Sequence, residues 1–240
     1  MKKVIMLSKN DALIVTDVQF DFLPGGSLAV PEGDQIIPAL NEYISLFANE
    51  NLPVFATRDW HPKNHISFKQ QGGPWPPHCI QNTEGAKFPR SLKVPGNVIV
   101  VSKATNLEKE AYSSFDGTQL TEQLKASGVS RIFIGGLTTE YCVKYTVLDG
   151  LKAGFNLVLL SDAIRGLNAN KGDLENAIQE MVQHGAEQAE LTDFPDPRIN
   201  LPPVEPGTEK PADEPLIRAE NRKKTRMRSR GPYRKIRSER

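Results

Sequence analysis

The chain has 240 residues, of which 38% are apolar and 25% are charged, and its formal net charge is +1. A chain of this size and composition can bury one large core, which excludes a wholly disordered protein. No apolar run approaches the roughly 20 residues that a membrane-spanning helix requires.

The N-terminal residues and the cysteines indicate a compartment. The first apolar run, residues 4–7, is shorter than the roughly 7–15 apolar residues of a signal peptide, so we expect none. The two cysteines, Cys79 and Cys142, are too few for a disulfide scaffold in a chain of this size. We therefore expect a cytoplasmic protein with no membrane partner.

Apolar runs of strand length alternate along the chain with segments of helical periodicity. The runs lie at 12–16, 53–57, 97–101, 131–135 and 155–160, with a weaker sixth at 186–191. The helical sets are Ile37, Leu40, Ile44 and Phe47, then Val143, Val147 and Leu151, then Leu174, Ala177, Ile178, Met181 and Val182. This alternation predicts an α/β domain whose parallel sheet is covered by helices on both faces.

In open sheets of this kind, functional sites lie beyond the carboxyl ends of the strands. The polar residues at those ends, in chain order, are Asp17, Asp59 with His61, Lys103, Cys142, and Ser161 with Asp162. Each alone has an ordinary explanation as a turn former, a solvated charge or a small core residue. Their joint placement predicts a site with an acid, a lysine and a thiol.

Cys142 has the features of a nucleophile. It falls in the first turn after a strand, behind Thr138 and Thr139, either of which can cap the following helix. The helix dipole there favours a thiolate, and unpaired amides of the first turn can receive an oxyanion. No histidine is placed as its base, so Asp17 is the candidate, with Lys103 beside it. Burial must then offset the lowering effect of the lysine on the pKa of Asp17.

Three of the four histidines lie between residues 61 and 78, close to an aspartate. Asp59, His61 and His78 supply three ligands and would leave open positions, as catalytic metal sites do. On spacing alone, the aspartate could equally cap a turn, and the histidines could form hydrogen bonds in loops. His65 is the reserve ligand.

The C-terminal fifth differs in composition from the rest. Residues 195–215 contain seven prolines, which predicts an extended linker over 195–216 after a catalytic domain that spans 1–194. Residues 217–240 hold eleven Lys/Arg against two Glu, a net of +9, whereas the other 216 residues hold 19 against 27 acidic residues, a net of −8. We expect a disordered basic tail that could contact nucleic acid or an acidic protein surface weakly.

Five motifs occur in order: DVQFDFLPGGSLAV, TRDWHPKNHISF, GGPWPPHC, SKAT and GGLTTEYCV. Together they resemble the nicotinamidase branch of the isochorismatase-like cysteine hydrolases, and the resemblance covers roughly residues 11–192. It implies a single three-layer α/β domain with a six-stranded parallel sheet, and an amidohydrolase that converts nicotinamide to nicotinate and ammonia through a cysteine thioester in NAD salvage. The linker and tail have no counterpart in that pattern.

The resemblance also implies roles for individual residues. Asp17, Lys103 and Cys142 match the catalytic triad, and Asp59, His61 and His78 match the ligands of one divalent metal, with zinc expected before iron or manganese. The backbone N–H groups of Thr138 and Cys142 match the oxyanion hole, and a non-proline cis peptide is expected at Leu137–Thr138. Phe22 and Trp75, with Tyr112 as a third, match the aromatic residues that line the pocket for the pyridine ring.

Other functions stay open. A hydrolase of the same fold could act on another amide, a ureide or a vinyl ether, although the metal set argues for a substrate with a ring nitrogen, and Cys142 argues against isochorismatase, which lacks the cysteine nucleophile. A binding protein that uses the core as a platform for the basic tail is the alternative from another class. We expect a small-molecule substrate and a homo-oligomer.

Overall fold

A computed structural model of the chain describes residues 4–195. The predicted linker beyond Pro195 and the basic tail lie outside the described residues. The strands are β1 (Asp11–Thr16), β2 (Val54–Asp59), β3 (Ile99–Lys103), β4 (Arg131–Gly136), β5 (Asn156–Ile164) and β6 (Glu187–Ala189). The helices are α1 (Ile37–Asn49), α2 (Leu120–Ala126), α3 (Lys144–Lys152) and α4 (Asp173–Gln183).

All six strands pair in parallel in one sheet, in the order β3-β2-β1-β4-β5-β6. Each predicted strand is confirmed, and the weak sixth run contributes the short edge strand β6. The chain therefore winds outward from β1 in both directions, and the central pair β1 and β4 joins segments that are far apart in sequence.

Alternate residues of the strands enter two separate cores, one on each face of the sheet. Leu13 and Val15 of β1 pack in a cluster with the apolar face of α1. Ala12 and Ile14 point the other way, into a cluster with residues of α2, α3 and α4. The predicted three-layer α/β arrangement is therefore confirmed, with long loops completing the α1 layer. No helix within residues 4–195 combines the length and the apolar character needed to cross a membrane.

Three expectations about these elements were wrong or incomplete. Val182 is 40% exposed, so the apolar stripe of α4 is narrower than its periodicity suggested. Helix α2 was missed because seven residues with two buried leucines are too short to establish a period. Ser161 and Asp162 lie inside β5, and Asp162 accepts hydrogen bonds from the Tyr43 hydroxyl (2.8 Å) and the Leu191 N–H (2.9 Å). Asp162 thus ties α1 and the last turn to the sheet.

At the C-terminal end of the described residues, the last turn packs against the core and binds the N-terminal segment. Phe194 is buried, and its ring lies 5.5 Å from the ring of Tyr43 and 5.7 Å from that of Phe133. The Ile5 N–H donates to the Asp193 carbonyl at 2.7 Å, which joins the first described residues to the last turn. Phe194 therefore belongs to the core.

Candidate active site

The acid, the lysine and the thiol meet at the carboxyl edge of the sheet. Lys103, the last residue of β3, places Nζ 3.0 Å from Asp17 Oδ2 and 3.3 Å from Cys142 Sγ. A carboxylate oxygen of Asp17 lies within 4.8 Å of that sulfur atom. All three side chains are buried. The predicted triad is thus one contiguous cluster, although its residues are far apart in the sequence.

A close approach of backbone at the end of β1 makes this cluster possible. Gly136 ends β4 with a φ of +127°, and a Cβ there would lie 2.1 Å from the Thr16 carbonyl oxygen, so only glycine fits. Asp17 then leaves the strand with a φ of 49°. Its carboxylate accepts a hydrogen bond from the Thr57 hydroxyl at 2.7 Å, which fixes the direction of the acid.

The charges of the cluster are set by burial and by mutual attraction. Burial raises the pKa of the Asp17 carboxyl, against the lowering effect of Lys103, which is the offset that a proton acceptor there requires. Burial opposes the charge on Lys103, but the carboxylates of Asp17 and Asp59 raise its pKa well above the usual value. Lys103 is therefore a permanent cation held between two acids.

The resting state of the thiol differs from the expectation. Burial raises the pKa of Cys142 well above that of a free cysteine, and the nearby Lys103 only partly counters it. The expectation that the helix dipole favours a thiolate is therefore wrong for the free site, because removal from water outweighs the dipole. Burial thus favours the protonated thiol, and the predicted role of Cys142 would require a base to remove its proton.

The turn that carries Cys142 is a π-helical segment, Thr139–Val143, between β4 and α3. Such segments occur often at functional sites. The expected cis peptide between Leu137 and Thr138 is present. The expected side-chain cap is not: the hydroxyls of Thr138 and Thr139 are buried and form no hydrogen bond within the described residues. The Thr138 carbonyl instead accepts the N–H groups of Tyr141 and Val143, both at 3.1 Å.

Asp59, His61 and His78 converge beside the triad. All three are buried, and His61 Nε2 and His78 Nε2 lie 3.7 and 3.9 Å from Asp59 Oδ2. Burial works against the charge of Asp59, but Lys103 and the two histidines hold its pKa below the usual range. These separations are too long for hydrogen bonds and suit three ligands around a cation.

The remaining contacts of the histidines test whether a metal fits. His78 Nδ1 donates to the Pro76 carbonyl at 2.8 Å, so its Nε2 carries the free lone pair. Both ring nitrogens of His61 are buried without a hydrogen-bond partner within the described residues, which is costly unless one binds a ligand. The residues therefore fit a divalent metal ion.

His65, the reserve ligand, lies against His61 but is already engaged. Its Nε2 donates to the Lys109 carbonyl at 3.1 Å, and its Nδ1 accepts from the Ser67 hydroxyl at 2.7 Å. No lone pair of His65 remains for a metal ion. The contacts of His65 are those of a loop residue, which was the ordinary alternative for this position.

A pocket of about 320 Å³, partly open to solvent, lies above the triad and the metal ligands. Its lining includes the three predicted aromatic residues, Phe22, Trp75 and Tyr112. The Trp75 Nε1–H donates to the Tyr112 hydroxyl at 3.0 Å, and burial raises the pKa of Tyr112 to about 12. The pocket thus brings Cys142 and two of the candidate metal ligands, Asp59 and His78, together with an aromatic wall.

Several residues of the site were not predicted. Leu28, Glu110, Tyr141 and Leu167 also line the pocket, and the Tyr141 ring lies 5.1 Å from that of Trp75. Tyr141 directly precedes Cys142 in the sequence, and this adjacency was the signal that could have identified Tyr141 as a pocket residue. Gln19 holds Asp59 by its backbone: Gln19 Nε2 donates to the Asp59 carbonyl and Gln19 Oε1 accepts the Asp59 N–H, both at 2.8 Å. No pattern in the sequence singled out Gln19.

Cys79, the second thiol, is separate from this chemistry. It is fully buried, and burial raises its pKa well above the usual value. Its N–H donates to Asp21 Oδ2 at 2.7 Å. Cys79 does not line the pocket.

The fold and the site define a class of proteins with an α/β fold, in which a cysteine, an aspartate and a lysine meet at the carboxyl edge of a parallel sheet. The model of the isochorismatase domain family matches residues 11–193, and the chain belongs to this family.

Three named proteins or solved structures illustrate what this chain is similar to. The nicotinamidase of Escherichia coli (strain K12) is 36% identical over 204 residues, which cover 76% of this chain and 96% of that protein. The solved structure of a Pyrococcus horikoshii pyrazinamidase in complex with zinc matches with a TM-score of 0.73 and 51% identity, over 75% of this chain and 99% of that one. The structure of PnC1 from L. infantum in complex with nicotinate matches with a TM-score of 0.73 and 33% identity, over 80% of this chain and 98% of that one.

Proposed function

We propose that the protein is a nicotinamidase, an amidohydrolase that converts nicotinamide to nicotinate and ammonia through a cysteine thioester, as a step of NAD salvage. The observation that carries this proposal is the contact of Lys103 with both Asp17 and Cys142, because Cys142 also lines an aromatic pocket together with Asp59 and His78. The relatives described as nicotinamidases support the choice of substrate.

The pocket suits a flat aromatic amide. Phe22 and Trp75 provide apolar surfaces, and a pyridine ring gains from offset or edge contacts with such rings. The amide carbon then lies over Cys142, which lines the same pocket as Thr138. We assign Phe22, Trp75 and Tyr112 to ring binding on this basis.

Asp59, His61 and His78 are the residues that would hold a divalent metal ion, with zinc the first candidate. Bound there, the ion supplies a Lewis acid that can take the lone pair of a ring nitrogen. The zinc in the Pyrococcus horikoshii structure and the unpartnered nitrogens of His61 support this assignment.

Acylation is carried out by the triad. Asp17 removes the proton from the Cys142 thiol, and the sulfur atom forms a bond to the amide carbon. The negative charge that develops on the amide oxygen is received by the N–H groups of Thr138 and Cys142. Asp17 then gives its proton to the departing nitrogen, the carbon–nitrogen bond breaks, and ammonia leaves. Lys103 stays protonated and holds the Asp17 carboxylate towards the sulfur atom.

Deacylation reverses the proton transfers. Asp17 accepts a proton from a water molecule while the water oxygen bonds to the thioester carbon. The carbon–sulfur bond breaks, the proton returns to Cys142, and the product leaves as nicotinic acid, which releases its remaining proton to water and becomes nicotinate. The raised pKa of Asp17 suits both steps, because the group must hold a proton transiently and release it again.

Ammonia release from nicotinamide tests the proposal. We expect turnover by the purified full-length protein, loss of turnover after treatment with a chelator, and recovery on addition of a divalent metal salt. Benzamide, which lacks the ring nitrogen, is the matched control and should be a much poorer substrate. Absence of turnover at any metal loading would contradict the assignment.

A further inference from the structure

A loop behind the nucleophile forms part of the pocket wall. It runs through residues 165–168 after β5, and its Leu167 lines the pocket with Cys142 and Thr138. Leu167 is only partly buried, and it packs at the margin of the α1-side core. Its position therefore depends on what holds the backbone of the loop.

One side chain of the nucleophile turn holds that backbone. The Glu140 carboxylate accepts the Leu167 N–H at 3.2 Å and the Asn168 N–H at 2.5 Å. A third bond joins the same two segments, from the Thr139 N–H to the Arg165 carbonyl at 3.0 Å. Charge-assisted bonds from a carboxylate to backbone N–H groups are among the stronger hydrogen bonds in proteins.

The fit between Glu140 and the loop is close. Glu140 is buried, and within residues 4–195 no lysine or arginine forms an ion pair with it. Its bonds to the loop therefore compensate its removal from water. A Cβ at Gly166 would lie 2.3 Å from Glu140 Oε2, so the loop can lie against the carboxylate only with glycine at this position.

We propose that Glu140 is a specificity-determining positioning residue: it clamps the loop 165–168 to the nucleophile turn and so holds Leu167 as a rigid wall against the substrate ring. The proposal rests on the proposed function, since it assumes an aromatic amide in the pocket. Glu140 itself does not line the pocket. It acts on the substrate through Leu167, and its loss should alter ring selection more than the chemistry at Cys142.

The first test compares full-length wild type with Glu140→Ala and Glu140→Gln. We expect Glu140→Ala to raise KM for nicotinamide about tenfold with kcat changed less than about threefold. Its discrimination against ring-methylated nicotinamides should fall in the same proportion. Glu140→Gln keeps one acceptor oxygen and should lie between the two. Glu122→Ala, the same change at a solvent-accessible position of α2, should behave as wild type.

The second test uses Gly166. Gly166→Ala alone should disturb the loop, because the added methyl group meets the Glu140 carboxylate. Combined with Glu140→Ala, the same change should cost little more than Glu140→Ala alone, since the obstructing atoms are gone. Additive effects of the two substitutions on KM would contradict the clamp.

Two further measurements distinguish a clamp by Glu140 from other effects of its substitution. Hydrogen exchange followed by mass spectrometry should show faster exchange of the segment containing Leu167 and Asn168 in Glu140→Ala, whether or not a substrate is known. Iodoacetamide should alkylate Cys142 at the wild-type rate in that variant. Unchanged selectivity, or a fall in kcat with slower alkylation, would overturn the proposal. An inactive wild type with the exchange result intact would instead reject the proposed substrate.

Discussion

The floor and the wall of the pocket are built differently. Cys142 lines the pocket and contacts Lys103, which contacts Asp17. These three buried side chains, here called the floor, lie at or just beyond the ends of strands. The wall consists of partly exposed residues such as Trp75 and Tyr112, which lie in loops between the strands. The groups proposed to transfer protons are thus held by the sheet, whereas the groups proposed to select the ring are held by loops. Changes to the floor should lower kcat, and changes to the wall should raise KM.

The largest expected effect is that of Cys142→Ala. Without the sulfur atom no thioester can form, so kcat should fall by at least about a thousandfold while the thermal midpoint stays near that of wild type. Ammonia release and a thermal melt measure the two quantities.

The second cysteine provides the control for this change. Cys79→Ala should retain turnover, because Cys79 lies outside the pocket. Acid quench and mass spectrometry during turnover should find an acyl adduct on Cys142. An adduct on Cys79 instead would show that Cys79 is the nucleophile.

The next largest effects are expected when single charges of the floor are removed. Lys103→Met removes the cation between Asp17 and Asp59 and leaves two acids buried side by side, which should cost about 3 kcal/mol or more of folding stability together with activity. Asp17→Asn keeps the shape and should lower kcat by about a hundredfold or more with a smaller loss of stability. Denaturant titrations and kcat measure both. A Lys103→Met protein of unchanged stability would show that the acids are not both charged.

The third prediction compares the metal content of variants at two neighbouring histidines. His61→Ala should reduce bound metal from about one ion per chain to a small fraction, since it removes one of three ligands. His65→Ala should retain the metal, because both of its nitrogens already form hydrogen bonds, one with Ser67 and one with the Lys109 carbonyl. Elemental analysis of the purified proteins decides between them. The reverse pattern would make His65 the ligand.

A smaller effect is expected at the wall. Trp75→Ala removes one aromatic face and the hydrogen bond to Tyr112, and should raise KM for nicotinamide about threefold to tenfold with metal content unchanged. Trp75→Phe keeps an aromatic ring and should recover most of the loss. Steady-state kinetics give the answer, and an equal fall in kcat would place Trp75 with the floor.

The smallest effect is expected outside the pocket. A chain truncated after Pro195 should keep its kcat, its KM and its thermal midpoint, because the proline-rich and basic segments have too little apolar surface to form a core. The truncation must retain Phe194, which is part of the core. Lost activity would place the domain boundary later in the chain.

Binding of polyanions by the basic tail is a separate prediction. If residues 217–240 contact polyanions, filter binding of RNA or DNA by the full-length chain should fall steeply with salt and be absent from the truncated chain. Equal and negligible binding by both proteins would remove nucleic acid from the possible partners.

Much of the fold was predictable because its signals are repetitive. Five of the six strands contain a short apolar run, and the parallel arrangement places the carboxyl end of every strand on one edge of the sheet. The sequence pattern alone therefore sufficed to bring Asp17, Lys103 and Cys142 together. The motif resemblance added roles for the metal ligands and the aromatic residues.

The unpredicted features depend on contacts between distant segments. Glu140 and Gln19 are polar residues whose partners lie 27 and 40 positions away, and neither carries a local pattern. The state of Cys142 was misjudged because a helix dipole is visible in a sequence while the extent of burial is not. The predicted side-chain caps by Thr138 and Thr139 are absent, because a π-helical turn, which the sequence did not indicate, leaves their hydroxyls without a partner among the described residues.

From the pairing of β1 with β4 we expect activity to appear late in folding. The proposed base, Asp17, follows the first strand and the proposed nucleophile, Cys142, follows the fourth, so they meet only when the register Thr16↔Gly136 has formed across the middle of the sheet. Closing a loop of that length is slow compared with forming any helix or neighbouring strand pair. During refolding, recovery of helical circular dichroism should therefore precede recovery of turnover, and enzymatic activity would report the completion of the central strand pair.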